Sequence, residues 1–454
     1  MPVNAKMRVV ALAVSLIVVT ACTGGGPRPR GAPSGSVSPS LPGSTSAPVA
    51  PGQTDMVVRA LFTTMATEGH NPDPTLNGGL GALYINWRHG TNPLVVNIGG
   101  GDQPDPLGTH RHDPLTDLRY LDDLWVQKSL HPDDATAAAE IDRYTPIVKS
   151  EFAQPGDKRG WTYDVLMDLA RTSGDPFYTN SAQYLVTYVD STLFHPDVGA
   201  IYFVDATHPT GYYRTDEVLD SACALIQAGR DFNHPEWAAD GKRALDYVYA
   251  HAFLPSHSTF LMVLQDITAG TPAQSVSRYR YRNQSIDGGV ARLGEVGTMA
   301  LSLLHAAKVS GDPSLLARAR QLLDPLTASN NSLGLWDTAN GGYFSGIKFP
   351  GSTQDAPGEP SVLRSYKESG RQTLMLQAFH LADSFPEMHG AYLPMEQSLT
   401  QLIDTKIFYK PGQGVLYQMA PDWQPYRPTW TWVTSEAMDI TLQALLSLSR
   451  PTPW

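Results

Sequence analysis

The sequence predicts an all-α protein built from helical hairpins, and three observations carry that expectation. Apolar residues recur at helical spacing, the recurrence comes in tandem pairs, and short connectors rich in helix-ending and helix-starting residues divide the pairs. In one pair Val296, Met299, Ala300, Leu303, Leu304 and Ala307 fall on a single helix face at i, i+3, i+4 and i+7 spacing, and Leu315, Leu316, Ala319, Leu322, Leu323 and Leu326 repeat the pattern. Between them stands Ser310-Gly311-Asp312-Pro313. Glycine suits the left-handed position that ends a helix, aspartate caps the next helix, and proline is favoured in its first turn.

The same punctuation runs along the chain. An N-terminal helix is expected over residues 55–66, and first helices of successive pairs near Thr116, Trp161, Asp216, Glu295, Arg371 and Ser435. Second helices follow His131-Pro132, Ser173-Gly174-Asp175-Pro176, His234-Pro235, Asp312-Pro313 and Phe385-Pro386. The sixth first helix has no second helix after it, so residues 55–66 are its expected partner. The spacing of the pairs is too irregular for a solenoid of identical repeats. The extra length sits in Gly- and aromatic-rich segments before the first helices, where long ordered loops commonly carry function. Two of these, residues 199–204 and 343–349, read as strand-like.

The front of the chain has a different character. Lys6 and Arg8 precede an apolar run over residues 9–19, too short for a stable membrane span and suited to an export signal. The run closes on Val19-Thr20-Ala21-Cys22, which resembles the bacterial lipobox. That resemblance implies a signal peptide over residues 1–22 and a lipid on Cys22, with the protein exported and anchored to the outer face of the cell membrane. Residues 23–54 are almost wholly Gly, Pro, Ser, Thr and Ala and read as a disordered tether, because such a stretch buries too little surface to offset its ordering entropy. Residues 55–454 read as one domain, since the helical pattern continues without a break in composition. The formal charge of −11 argues against a nucleic-acid partner and leaves the lipid as the sole membrane contact. With Cys22 lipidated, Cys223 stands alone among Ala222, Ala224 and Leu225, as a packed core thiol. A monomer is expected.

Six hairpins, Gly-Asp-Pro connectors and the segment Trp336-Asp337-Thr338-Ala339-Asn340-Gly341-Gly342-Tyr343-Phe344 resemble the six-hairpin, (α/α)6-barrel carbohydrate enzymes. That superfamily includes family-76 endo-α-1,6-mannanases, unsaturated glycuronyl hydrolases and N-acylglucosamine 2-epimerases. The resemblance spans residues 55–454 and implies an (α/α)6 toroid with a few short strands in its loops. It also implies a substrate cleft at the N-terminal ends of the inner helices.

Candidate site residues are therefore the polar groups just before, or in the first turn of, each inner helix. These are Arg111, His112, Asp113 and Asp117, then Trp161 and Tyr163, Tyr213, Arg214, Asp216 and Glu217, then Asp287, Arg292 and Glu295, then Tyr366, Lys367, Glu368 and Arg371, and last Trp430, Trp432 and Glu436. Glycoside cleavage needs one carboxylic acid to protonate the leaving oxygen and a second carboxylate as base or nucleophile. Asp216, Glu217, Glu295, Glu368 and Glu436 are the expected catalytic set, although capping and the helix dipole also favour acids in first turns. Asp216-Glu217 follows Tyr212-Tyr213 and resembles the two adjacent aspartates that open an inner helix in family-76 mannanases, with Glu in place of the second Asp. Trp161, Tyr213, Arg214, Asp287, Arg292, Tyr366, Lys367, Arg371, Trp430 and Trp432 are the expected substrate contacts, since sugars offer apolar ring faces for stacking and hydroxyls for hydrogen bonds. Asp122-Asp123 is a second acidic pair two turns inside its helix, read as a salt-bridged or solvated face.

The expected function is hydrolysis of a cell-envelope or extracellular polysaccharide without a cofactor. An epimerase would use paired histidines near inner-helix starts, where His110 and His112 lie while His305 and His380 fall within helices. A polysaccharide lyase would use Tyr213-Arg214 or Tyr366-Lys367 on a uronate, and a non-catalytic glycan-binding lipoprotein would use the same groove. His110-Arg111-His112-Asp113 brings two histidines and an acid together but lacks the distant third ligand of a zinc site, so no metal is expected.

Overall fold

A computed structural model describes residues 51–90, 112–153, 160–271, 273–275, 279–281, 284–286, 289–349, 360–429 and 431–450. Cys22, the signal segment and residues 23–50 of the expected tether lie outside these, as do His110, Arg111, Asp287 and Trp430, and Trp161 is described only as part of its helix. The described residues form twelve α-helices: α1 (Pro51–Thr64), α2 (Pro114–Leu130), α3 (Ala135–Phe152), α4 (Gly160–Ser173), α5 (Pro176–Tyr188), α6 (Thr215–Asp231), α7 (Pro235–His251), α8 (Leu293–Ser310), α9 (Pro313–Leu323), α10 (Ser369–Asp383), α11 (Leu393–Leu402) and α12 (Ser435–Ser449). None of them is long and apolar enough to cross a membrane.

The even-numbered helices touch one another in a closed ring, α2 to α4 to α6 to α8 to α10 to α12 and back to α2. Each odd-numbered helix packs outside its hairpin partner, and α1 packs on α12, completing the sixth pair. This is the (α/α)6 toroid. The connectors act as their residues dictate: Asp175 accepts from Phe177 N at 2.9 Å, Asp312 from Ser314 N at 2.8 Å, and Gly311 takes the left-handed φ of 72° that ends α8.

Burial separates the two rings. From Val218 to Gly229 every residue of α6 is buried, whereas its outer partner α7 buries only Trp237, Gly241, Ala244, Leu245 and Val248, one stripe of a helix whose other face meets water. Cys223 lies in the buried part of α6, and burial pushes its thiol pKa well up. The two helices approach closely because Gly241 lets them: a β-carbon there would stand 2.5 Å from Ala222 O.

At the mouth, short strands lace the ring together. The strand before each of four inner helices pairs with a strand from the following hairpin unit: Tyr212–Arg214 with Val263–Gln265, Val290–Arg292 with Gly346–Lys348, Lys367–Glu368 with Gln418–Met419, and Val433–Thr434 with Asn86–Trp87. The last pairing closes the circle between the two ends of the domain, and Ser435 N adds a bond to Ile85 O at 3.1 Å. The two segments read as strand-like contain Ala200–Ile201 and Gly346–Lys348.

Gly241→Val should lower the stability of the folded protein by about 1–3 kcal/mol, through overpacking between α6 and α7. A fall in the urea midpoint at unchanged slope is the expected result, and an unchanged midpoint would show that the close approach is dispensable.

Candidate active site

Because all six inner helices start at the laced mouth, their first turns converge there. Arg214, at the N-cap of α6, is the centre of one cluster. Its Nη2 donates to Asp216 Oδ2 at 3.0 Å and stands 3.5 Å from Glu295 Oε1, while Nη1 lies 3.4 Å from Glu217 Oε1. Asp216 and Glu295 come from neighbouring inner helices, and two contacts to one nitrogen cap the separation of those oxygens at the sum of the two distances. Glu295 Oε2 accepts from Arg292 N at 3.1 Å, which ties it to the start of α8. Burial first, and then the charge of Asp216, raise the Glu295 pKa to about 7 against the pull of Arg292 and Arg214.

Arg371 is the centre of the second cluster. Its Nη2 donates to Glu436 Oε1 at 2.8 Å and its Nε lies 3.7 Å from Glu368 Oε2. The Glu368 pKa is raised by burial, with Glu436 adding to the shift and Arg371 and Arg292 opposing it. The clusters adjoin. Arg371 lies over the start of α8, where a β-carbon on Gly294 would stand 2.6 Å from its Cδ, and Arg292 feels both Glu295 and Glu368. The five expected carboxylates therefore gather in two arginine-centred groups along the mouth, on α6, α8 and α12 and at the N-cap of α10.

The expected substrate contacts divide. Arg214, Arg292 and Arg371 face the carboxylates. Tyr366 is half-buried beside them, packs edge-on against Tyr426 at 5.5 Å, and has its pKa pushed up to about 12 by burial and by Glu368. Trp432 is half-buried just before the strand that leads into α12. Tyr213 is different: it is wholly buried in the main core, with Tyr247 of α7 near its hydroxyl, so its ring has no face for a sugar. Lys367 is corrected likewise. It is fully buried, its Nζ donates to Asp337 Oδ2 at 2.8 Å, Gly341 O at 2.6 Å and Pro421 O at 2.8 Å, and it stacks over Trp423 at 4.6 Å. The Trp336–Phe344 motif is thus the seat of a buried ammonium, with Asp337 folding its own turn by accepting from Ala339 N at 3.0 Å. Tyr163 also points away, donating to Asp231 at 2.6 Å.

Asp122 and Asp123 are likewise corrected: neither is solvated, both being 1% exposed inside the ring, and burial pushes both pKa values well up. They belong to a column of carboxyls with Asp439, whose nearest cation is Arg119 at 4.0 Å. Tyr417 is a mouth residue that sequence reasoning missed. The charge of Glu368 is the largest influence on its hydroxyl, followed by burial, and both raise its pKa. Among the described histidines, His305 and His380 pair with Asp164 and Glu396 at 2.9 and 3.0 Å, away from the inner-helix starts. A cavity of about 390 Å³ lies at the opposite end of the ring among Asp168, Asp231, His305, Lys308 and Arg450. Its charges largely answer one another, as in the Arg450–Asp168 pair at 2.8 Å, and the catalytic candidates are elsewhere.

No protein-family model matches the chain, and no curated protein sequence is similar to it. Solved structures are similar in fold. An unsaturated glucuronyl hydrolase specific for heparin superposes with a TM-score of 0.59 at 17% identity, covering 87% of this chain and 95% of its own. A D-mannose isomerase gives 0.58 at 12% identity over 90% of this chain and 100% of its own. A family 76 glycoside hydrolase from a bovine Bacteroides thetaiotaomicron strain gives 0.57 at 11% identity over 87% and 77%. The chain has the six-hairpin (α/α)6 fold of these carbohydrate-active enzymes.

Asp337→Ala should destabilise the protein by about 3–5 kcal/mol, because it leaves the Lys367 ammonium buried without its counter-charge. The double variant Asp337→Leu with Lys367→Met should recover most of that loss in thermal unfolding. Equal instability of the single and double variants would contradict the pairing.

Proposed function

We propose that this protein is an exported, lipid-anchored glycoside hydrolase acting on a glycan of the cell envelope or its surroundings. The observation that carries the reading is the Asp216–Arg214–Glu295 arrangement. Two carboxylates from adjacent inner helices meet at one guanidinium, and one of them has a pKa near 7. A carboxyl protonated near neutrality can give its proton to a glycosidic oxygen as the bond breaks. Glu295 takes that role. Asp216, paired with Arg214, is the base or nucleophile on the opposite side of the sugar, and Glu217 at 3.4 Å from the same arginine is its neighbour along the cleft. Tyr366, Tyr426 and Trp432 supply aromatic surface, and Arg371 with Glu368 and Glu436 supplies hydrogen-bonding groups for a flanking sugar.

The comparisons support a carbohydrate substrate. Among the similar structures is an α-1,6-mannanase of Salegentibacter in complex with α-1,6-mannotriose, at a TM-score of 0.53 and 11% identity over 87% of this chain and 98% of its own. His305 and His380 are held by Asp164 and Glu396 away from the inner-helix starts, which removes those two as epimerase bases at the mouth. The lipobox-like Val19–Cys22 segment supports the anchor, with a chain long enough to hold the barrel within some tens of ångströms of the membrane.

Glu295→Gln and Asp216→Asn should each lower kcat/KM by about 10²–10⁴-fold on α-1,6-mannan or on unsaturated glucuronyl oligosaccharides, whichever the wild type turns over. The acid must be protonated to act, so wild-type kcat/KM should fall as pH rises through about 7, and that limb should vanish in Glu295→Gln. Release of product by neither the wild type nor the variants, on any envelope glycan, would overturn the reading. Cys22→Ala should shift the protein from the membrane to the soluble fraction and abolish labelling by a fatty-acid probe. Retained labelling would place the lipid elsewhere.

A further inference from the structure

The α2–α3 hairpin carries a cluster that the hydrolytic reading leaves unused. His112 stands just before α2, Asp117 lies in its first turn, and Glu151 is next to last in α3. An antiparallel hairpin brings the start of its first helix beside the end of its second, so the three side chains meet. One donor atom from each lies within 4.8 Å of the others. His112 Nε2 is 2.9 Å from Glu151 Oε1. Ligands with bonds of about 2.0–2.2 Å stand roughly 2.8–3.1 Å apart at right angles and roughly 3.3–3.6 Å apart in a tetrahedron, so the pair needs little or no outward shift to share an ion.

The surroundings hold the acids in place without neutralising them. Leu83 N donates to Asp117 Oδ1 at 2.8 Å, and Asn77 Nδ2 donates to Glu151 Oε1 at 2.7 Å. Asp117 is wholly buried and the Glu151 side chain is 3% exposed, yet Asp117 Oδ2 and Glu151 Oε2 have no hydrogen-bond donor. Buried carboxylate oxygens are ordinarily satisfied, because leaving a charged group unpaired in the interior is expensive. The His112 side chain remains 18% exposed, which leaves the cluster a route to solvent.

We propose that His112, Asp117 and Glu151 bind one divalent cation at the rim of the barrel mouth. The ion fastens the lead-in of α2 to the end of α3. An imidazole with two carboxylates suits Zn2+ or Mn2+ and not Ca2+, which takes oxygen ligands. Leu83 and Asn77 are the groups that orient the two carboxylates. His110-Arg111-His112 looked short of a distant third ligand in the sequence. Glu151, brought back by the hairpin turn, supplies one.

Chelator-treated full-length protein titrated with Zn2+ or Mn2+ by calorimetry should take up one ion per chain, and Ca2+ should bind at least tenfold more weakly. Glu151→Gln and the partly exposed His112→Ala should each weaken uptake by more than ~100-fold. Asn77→Ala, which removes the bond that orients Glu151 together with one to Gly81 O, should weaken it by about 10–100-fold. Circular dichroism of each variant checks that it remains folded, and because His112 is only partly buried its loss tests the site even if Asp117→Asn does not fold. Absence of stoichiometric uptake, or wild-type affinity in both His112→Ala and Glu151→Gln, would overturn the proposal. The two acids would then share a proton beneath a His112 ion pair.

Discussion

Val433 and Thr434 pair with Trp87 and Asn86, so the strand leading into the sixth inner helix is bonded to a segment that precedes the first. That closure, with the three strand pairs that repeat it around the mouth, sets where every inner helix begins. Six parallel inner helices then aim six N-terminal dipole ends, each equivalent to roughly half a positive charge, at one opening. An opening of that polarity favours carboxylates, and the five catalytic candidates are there. Arg214, Arg292 and Arg371 add full charges to the partial ones, so acids can crowd the mouth while burial tunes them individually. Glu295 reaches a pKa of about 7 because its burial and its nearness to Asp216 outweigh both arginines and the hydrogen bond from Arg292 N.

The interior of the ring follows a different logic. Asp122, Asp123 and Asp439 sit deeper, where inner helices face one another; Arg119 stands 4.0 Å from Asp439, and Arg450 acts on Asp122 and Asp123 without offsetting their burial. Burial favours their neutral form, and neutral carboxyls can occupy an apolar ring that would not accept three anions. The same residue type therefore serves two purposes on the same helices, according to depth. Glu436 and Asp439 lie one turn apart on α12 and illustrate the change: the first is paired with Arg371 at 2.8 Å, the second is wholly buried and pushed well up.

The helical pairs were legible in the sequence because apolar spacing and Gly-Asp-Pro connectors are local signals, and inner-helix starts were placed within two residues of where they lie. The carboxylates were legible for the same reason, since a first turn can be read without knowing what it faces. Choosing among adjacent lead-in residues could not be done that way. A short strand sends successive side chains to opposite faces. Tyr213 goes to the core while Arg214 reaches the mouth, and Lys367 enters the Asp337 corner while Glu368 reaches the mouth. Which member goes inward depends on the partner strand, which lies in the following hairpin unit and leaves no mark on the local sequence. Tyr417 was missed on the same ground: it reaches Glu368 only through the pairing of Gln418–Met419 with Lys367–Glu368. Glu151 was passed over because it lies at the end of an outer helix, outside the positions searched.

The placement of α1 has a consequence for orientation. Its C-terminal end reaches the mouth, where Thr64 Oγ1 donates to Gln413 O at 2.7 Å beside the closing strands. Its fourteen residues then run back along α12, about 1.5 Å per residue, to the far side of the toroid. The chain therefore enters the barrel at the end opposite the mouth, on the side away from the clustered carboxylates.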